Sequence, residues 1–317
     1  MKIIITGGCG FIGTNLSLYL LKNTEHFIYA IDNMIDNYDI SFKHNNLKEL
    51  INYDKFTYYN ENVLGTMKIK EIMPDIIIHL ASIPGVRKSM DDPLFYIKNN
   101  IDAFVYLLEE CRKYNIKRVI YASSSSVYGR NKKTPFSEND NINELNSSYA
   151  CSKKCMEVYG KYYNDVFNIN VIGLRFFTVY GERGRPDMAP YIFLKNIAEK
   201  KELLRYGDGS SSRDYTFIND IINGIISIVE GKGTGGKIYN LGNSNPINLN
   251  DFITLCEDIT KKKAIINIIE TQLGDVSHTY ADITNAMNDL DYKPKKSLKE
   301  GLLITYKWMI ESNRIIL

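Results

Sequence analysis

Along the first half of the chain, short runs of apolar residues alternate with longer stretches whose apolar residues recur at helical spacing. Lys2-Ile3-Ile4-Ile5-Thr6, Phe27 to Ile31, Ile76 to Leu80, Arg118 to Ala122 and Val171 to Arg175 read as strands. Between them, Phe11 to Lys22, about Leu94 to Tyr114 and Ser148 to Phe167 read as helices. Strands that are apolar on both faces and separated by helices predict a parallel sheet covered on both sides. After Gly181 the loops lengthen and Gly and Pro become denser. Lys237-Ile238-Tyr239-Asn240 is the last strand the pattern predicts.

The expected fold is therefore α/β: a doubly wound parallel sheet with a smaller C-terminal lobe. Residues 1–175 form the sheet domain, with a segment near 214–242 returning to it. The smaller lobe takes 176–213 and 243–317.

The turn after the first strand carries the first candidate chemistry. Gly7-Gly8-Cys9-Gly10-Phe11-Ile12-Gly13 contains the spacing G-x-G-x-x-G, through Gly8, Gly10 and Gly13. A variant spacing runs through Gly7, Gly10 and Gly13. Glycines here let the backbone approach a pyrophosphate at the N-terminus of a helix, where free N–H groups face the anion. Asp32 ends the next strand, about 20 residues beyond the glycines, where a ribose-binding acid belongs. Its carboxylate would repel a 2′-phosphate and no Arg follows at once, so NAD is expected over NADP.

Composition narrows the partners. The 317 residues carry 39 Lys plus Arg against 37 Asp plus Glu, a net charge of +2. That balance argues against a nucleic-acid partner, which calls for a strongly basic face. Any anionic ligand must be met by a few placed cations. No apolar run reaches the roughly 18 residues a membrane helix needs, and Met1 to Ile5 run straight into a strand pattern, so no secretory signal is expected. The 5 cysteines lack framework spacing, which fits a reducing, cytoplasmic setting.

Tyr149-x-x-x-Lys153 places two side chains on one helix face. The spacing occurs four times in this chain, and context singles this one out. Only Tyr149 opens a strong helix after a strand ending in hydroxyls, Ser123-Ser124-Ser125-Ser126. The carboxyl ends of parallel strands face the ligand crevice, so the serines point towards the cofactor. A tyrosine with its ordinary pKa near ~10 is a poor base at neutral pH. The Lys153 ammonium and a positive nicotinamide ring are expected to lower it. Tyr149 then takes a hydroxyl proton as the geminal hydrogen leaves as hydride, while Ser124 holds the same oxygen.

The glycine loop, Asp32, the serine run ending in Val127-Tyr128-Gly129, and the Tyr149/Lys153 pair together resemble the extended short-chain dehydrogenase/reductase family, over nearly the whole chain. Further segments resemble its UDP-glucuronate 4-epimerases: Asp32-Asn33 with Asp36 to Ser41, Gly85 to Ser89, Leu174 to Gly181, Gly184 to Ala189, Gly274 to Val276 and Thr279 to Asp282. The resemblance implies C4 epimerisation of a UDP-sugar, UDP-glucuronate to UDP-galacturonate, through a transient 4-keto sugar with tightly held NAD. It implies a cofactor site of Gly7, Gly10, Phe11, Ile12, Gly13, Asp32, Asn33, Asn62, Val63, Leu80, Ala81, Ser82 and Asn99 with Tyr149 and Lys153. It also puts Arg87, Arg185, Arg213 and Asp275 at the nucleotide sugar. Two arginines suit a diphosphate, because a guanidinium offers a planar fork of donors.

Related sugar-nucleotide dehydratases carry an Asp-Glu pair where this chain has Ser125 and Ser126. Without those acids dehydration is not expected. Ser125, Ser126 and Thr178 are expected to hold the C6 carboxylate instead. The chain departs from its relatives at Asn62-Val63, where an acid usually lies near the adenine. Tyr206 to Asp214 looks more like the neutral-sugar 4-epimerases. UDP-glucose or UDP-N-acetylglucosamine as substrate, and decarboxylation to UDP-xylose, therefore stand as alternatives. A non-catalytic NAD-binding protein is disfavoured, since Ser, Tyr and Lys are all present. The helices Leu94–Tyr114 and Ser148–Phe167 carry apolar residues on more than one face, which predicts a homodimer built on a four-helix bundle.

Overall fold

Ile3, Ile4 and Ile5 are each fully buried, although successive side chains of a strand point to opposite faces. Ile3 and Ile5 pack with Ile76, Ile78 and Ile120 in one core. Ile4 packs with Ile77, Val119 and Val171 in the other. The run is apolar at every position because both faces of the sheet are covered.

The computed structural model of the chain describes residues 1–270 and 278–315. Its large sheet has 7 strands: β1 (Lys2–Thr6), β2 (Phe27–Ile31), β3 (Phe56–Tyr59), β4 (Ile76–His79), β5 (Arg118–Ser124), β6 (Asn170–Phe176) and β10 (Ile238–Leu241). They lie in the order β10-β6-β5-β4-β1-β2-β3, with every neighbouring pair parallel. The order reverses between β1 and β4, so the loops leaving their carboxyl ends diverge and open a crevice. The remaining strands are β7 (Thr178–Tyr180), β8 (Glu202–Tyr206), β9 (Ser212–Phe217), β11 (Pro246–Asn248) and β12 (Ile265–Ile269). They form a three-stranded sheet β11-β9-β7 and a two-stranded sheet β12-β8.

The strands and helices read from the pattern are present, including the return of β10 beside β6. Three details differ. β11 and β12 follow the segment expected to be the last strand; one is very short, and Ile265, Ile266 and Ile268 of the other are exposed. β3 carried no clear run. The long helix expected from Leu94 to Tyr114 is interrupted by a π-helical stretch, Ile97–Asp102, between Pro93–Tyr96 and Ala103–Lys113. Such a turn inserts extra backbone and commonly lies beside a functional site. The helix Ser148–Phe167 matches expectation, with the Ser147 hydroxyl capping it by accepting the Ala150 N–H at 3.1 Å. No described helix is long and apolar enough to cross a membrane.

Candidate active site

Gly7 turns the chain out of β1 with φ +68°, a left-handed conformation that glycine adopts without strain. A Cβ there would lie 2.8 Å from the Ala81 nitrogen. A Cβ on Gly13 would collide with the Gly7 carbonyl. The loop thus brings backbone close to β4 and to the start of the first helix, Phe11–Asn23. At the end of β2, Asp32 is buried, and its carboxylate accepts from the Met34 N–H at 2.9 Å and the Cys9 N–H at 3.2 Å. The Lys43 ammonium donates to it at 3.1 Å.

A cavity of about 690 Å³ opens above these carboxyl ends. Every residue assigned above to cofactor or sugar lines it, from Gly7 to Arg185, with two exceptions. Arg213 lies outside its wall, donating to the Ser212 carbonyl at 2.9 Å. Asp275 lies outside the described residues. The wall also contains groups to which the sequence reading gave no site role, among them Tyr38, Lys43, Glu61, Phe177 and Asp187. Glu61 supplies an acid beside Asn62, although its carboxylate is turned to the Thr66 hydroxyl at 2.7 Å. A glycine cradle, an acid at the end of β2 and a long cleft fit a dinucleotide.

Ser124 closes β5, and Tyr149 and Lys153 occupy successive turns of the Ser148–Phe167 helix, so the three meet at the cavity floor. Lys153 is 1% exposed and donates to the Ala122 carbonyl at 2.7 Å, with its ammonium 5.9 Å from the Tyr149 ring centre. Burial pushes the lysine down to about 7. Burial pushes the Tyr149 phenol above its ordinary value, against the lowering effects of a hydrogen bond with Ser124 and of the Arg185 charge. This reverses the direction expected from the sequence. Desolvation disfavours phenolate and ammonium alike, and at Tyr149 it outweighs the Ser124 hydrogen bond and the Arg185 charge.

Positioning groups that the sequence reading missed surround this trio. Asn100, in the π-helical stretch, accepts the Ile83 N–H at 2.7 Å and donates to the Ile83 carbonyl at 3.1 Å and the Ser152 hydroxyl at 2.9 Å. Ser152 donates in turn to the Tyr149 carbonyl at 2.8 Å. Tyr96 packs edge-on against Tyr149 with centroids 6.3 Å apart. Beneath Ser124, the Glu157 carboxylate takes two bonds from Arg175, at 2.8 and 2.9 Å, and one from the Ser123 hydroxyl at 2.7 Å. An asparagine or an ion pair of this kind has no local motif; only the tertiary fold assembles it.

Ser125, Ser126 and Thr178 offer hydroxyls to the cavity, and no acid takes the two serine positions. Ser126 is already in contact with Ser124, its N–H donating to the Ser124 oxygen at 3.1 Å. Arg185 is held by Asp187, at 2.6 and 3.0 Å, and lies 5.5 Å from the Tyr38 ring centre. Arg87 stacks on Tyr206 at 4.4 Å.

Comparison with known proteins agrees with this geometry. Residues 3–242 match the family model described as the NAD dependent epimerase/dehydratase family. A UDP-glucuronate 4-epimerase of Thermodesulfobacterium geofontis is 35% identical over 318 residues, covering 99% of this chain and 97% of the relative. The crystal structure of UDP-glucuronic acid 4-epimerase from Bacillus cereus, in complex with UDP-glucuronic acid and NAD, superposes with a TM-score of 0.93 at 36% identity, covering 98% of this chain and 100% of that one. UDP-glucose 4-epimerase of Thermotoga maritima, solved with UDP-glucose, gives a TM-score of 0.91 at 26% identity, over 99% and 100%. The chain belongs to the NAD-dependent epimerase/dehydratase family.

Proposed function

We propose that this protein interconverts the C4 epimers of a UDP-sugar, with UDP-glucuronate and UDP-galacturonate as the pair. The observation that carries the reading is the meeting of Ser124, Tyr149 and Lys153 on one cavity wall beside the glycine cradle, with serines where a dehydratase would need acids. The relatives named above act on, or are solved with, the same class of nucleotide sugar.

Bound NAD supplies a hydride acceptor and donor at its nicotinamide. The chain's own residues do the rest. Gly7 to Gly13 give the pyrophosphate its backbone cradle, and Asp32 takes ribose hydroxyls. Tyr149 removes the proton from the C4 hydroxyl and returns it after the sugar has turned over, so no net proton or electron leaves the site. Ser124 holds the same oxygen. Lys153 holds cofactor ribose and steadies charge on the phenol. Ser125, Ser126 and Thr178 hold the C6 carboxylate, donating hydrogen bonds without adding negative charge. That grip matters because a 4-keto uronate is a β-keto acid, which loses carbon dioxide when its carboxylate leaves the carbonyl plane. Arg87, Arg185, Arg213 and Asp275 serve the nucleotide. Residues 1–175 with 214–242 form the cofactor domain, and 176–213 with 243–317 the sugar lobe.

The test is to incubate the purified protein with UDP-glucuronate, without added NAD, and read the products by proton NMR. UDP-galacturonate is expected. UDP-xylose with released carbon dioxide would instead assign a decarboxylase. Conversion of UDP-glucose or UDP-N-acetylglucosamine alone would move the substrate to a neutral sugar.

The assembly reading rests on an apolar face. Leu94 and Ile97 in the stretch 93–102, and Val158, Tyr162 and Val166 on the helix Ser148–Phe167, are 43–75% exposed. Solvated apolar residues at this density favour burial against a second copy. Light scattering at micromolar concentration is expected to return twice the chain mass; a monomer would count against the dimer.

A further inference from the structure

We infer that Arg183 is a positioning residue that locks the substrate loop to the cofactor helix, so that nucleotide and NAD tighten each other's binding. The inference rests on the dinucleotide and nucleotide-sugar reading above.

Arg183 sits in the turn Gly181-Glu182-Arg183-Gly184, closed by the Gly184 N–H donating to the Gly181 carbonyl at 3.1 Å. Its own φ is +62°. A non-glycine residue held there is strained and persists only where surrounding contacts over-determine it. The guanidinium grips Glu49 with both prongs, at 2.7 and 3.0 Å, and its third nitrogen donates to the Asn15 side-chain oxygen at 3.1 Å. The Asn15 amide donates to the Glu182 carbonyl at 3.0 Å and the Phe11 carbonyl at 2.9 Å. The Arg183 side chain is 14% exposed and that of Glu49 41%, so the guanidinium is shielded while the carboxylate keeps one side in water; the bidentate geometry sets the pair apart from a singly bonded surface contact.

Both anchors stand on helices that carry residues of the cofactor site. Asn15 is on the helix that starts at Phe11 and carries Ile12 and Gly13 of the cradle. Glu49 is on the helix Ser41–Leu50, which also carries Lys43, the partner of Asp32. On the other side, the turn runs directly into Arg185, Asp187 and Met188 of the cavity wall. One side chain therefore joins both cofactor-bearing helices to the loop that meets the sugar nucleotide. Ordering either side restrains the other, and such coupling is reciprocal between the two ligands.

The experiment follows exchange of bound NAD for isotopically labelled NAD in the holoprotein, with and without saturating UDP. UDP is expected to slow exchange about tenfold in the parent protein, a typical coupling between sites. In Arg183→Ala and in Glu49→Gln the slowing is expected to fall below about twofold, the near loss of that same coupling. Arg183→Lys, which keeps the charge but not the fork, should fall between them and serves if the alanine variant does not fold. A merely structural arginine would lower thermal stability and leave the UDP effect intact. Equal slowing in parent and variants, or none in the parent, overturns the inference. Failure of the parent to hold NAD or UDP at all would bring down the functional reading beneath it.

Discussion

Tyr149→Phe is expected to lower turnover of the UDP-sugar about 10³-fold, within the range for losing a positioned general base, with NAD still bound and the fold intact. The phenol oxygen is the only atom removed. Its ring keeps its edge contact with Tyr96, and the Ser147 cap that starts the helix is untouched. Among the described residues lining the cavity no carboxylate or imidazole stands free to take over the proton, and the Lys153 ammonium is turned to the Ala122 carbonyl. Of the carboxylates in the cavity wall, Asp32 is engaged by Lys43 and two backbone N–H groups. Glu61 holds Thr66, and Asp187 holds Arg185. His79 is fully buried under the strand end, its pKa driven down to about 3 by desolvation, and it is outside the cavity wall. Single-turnover formation of NADH absorbance with UDP-glucuronate measures the step directly. If Tyr149→Phe retained more than about a tenth of the parent rate, less than the smallest loss expected of a general base, another group would have to be the base.

What could be read before the structure was whatever is encoded within a few residues. The glycine cradle, Asp32 and the Tyr149–Lys153 pair each sit on one element or at one strand end, so spacing alone carries them. The doubly wound sheet was legible because Ile3-Ile4-Ile5 and Ile76-Ile77-Ile78 are apolar at consecutive positions, which only a sheet covered on both faces explains. Lys43, Asn100 and Glu157 were not legible. Each acts on a partner distant in sequence (Asp32, Ile83, Arg175), and a lysine, asparagine or glutamate in a helix looks the same whether it faces water or a buried partner. The π-helical turn has no local motif either, and Asn100 within it bonds Ile83 and Ser152, both distant in sequence. The direction of the Tyr149 shift was missed because the sequence shows which charges are near in the chain but not how completely water is excluded.

Arg175→Met is expected to destabilise the protein by about 3–5 kcal/mol, the range for breaking a buried ion pair from one side, and to lower the melting temperature by roughly 10 °C. Arg175 is 2% exposed and Glu157 3%, which leaves water little access to a carboxylate stripped of its partner. Ser123 would still donate one bond to it at 2.7 Å, and Lys154 stands at 3.8 Å, too far for a hydrogen bond. The same guanidinium also bonds the Tyr128 hydroxyl at 2.9 Å, which bonds Asn240 of β10 at 2.7 Å. The substitution therefore loosens the edge where β10 joins β6. Removing both charges with Arg175→Met and Glu157→Leu should recover most of the loss, because apolar groups of similar volume replace buried pairs at little cost. Thermal melts of the NAD-saturated proteins separate the cases. A single variant as stable as the parent, or a double variant no better than the single, would refute the account. Glu157 lies one helical turn beyond Lys153, and Ser123 immediately precedes Ser124. Turnover by the double variant should therefore stay below the parent even where stability returns, since the pair that aligned strand end and helix is gone.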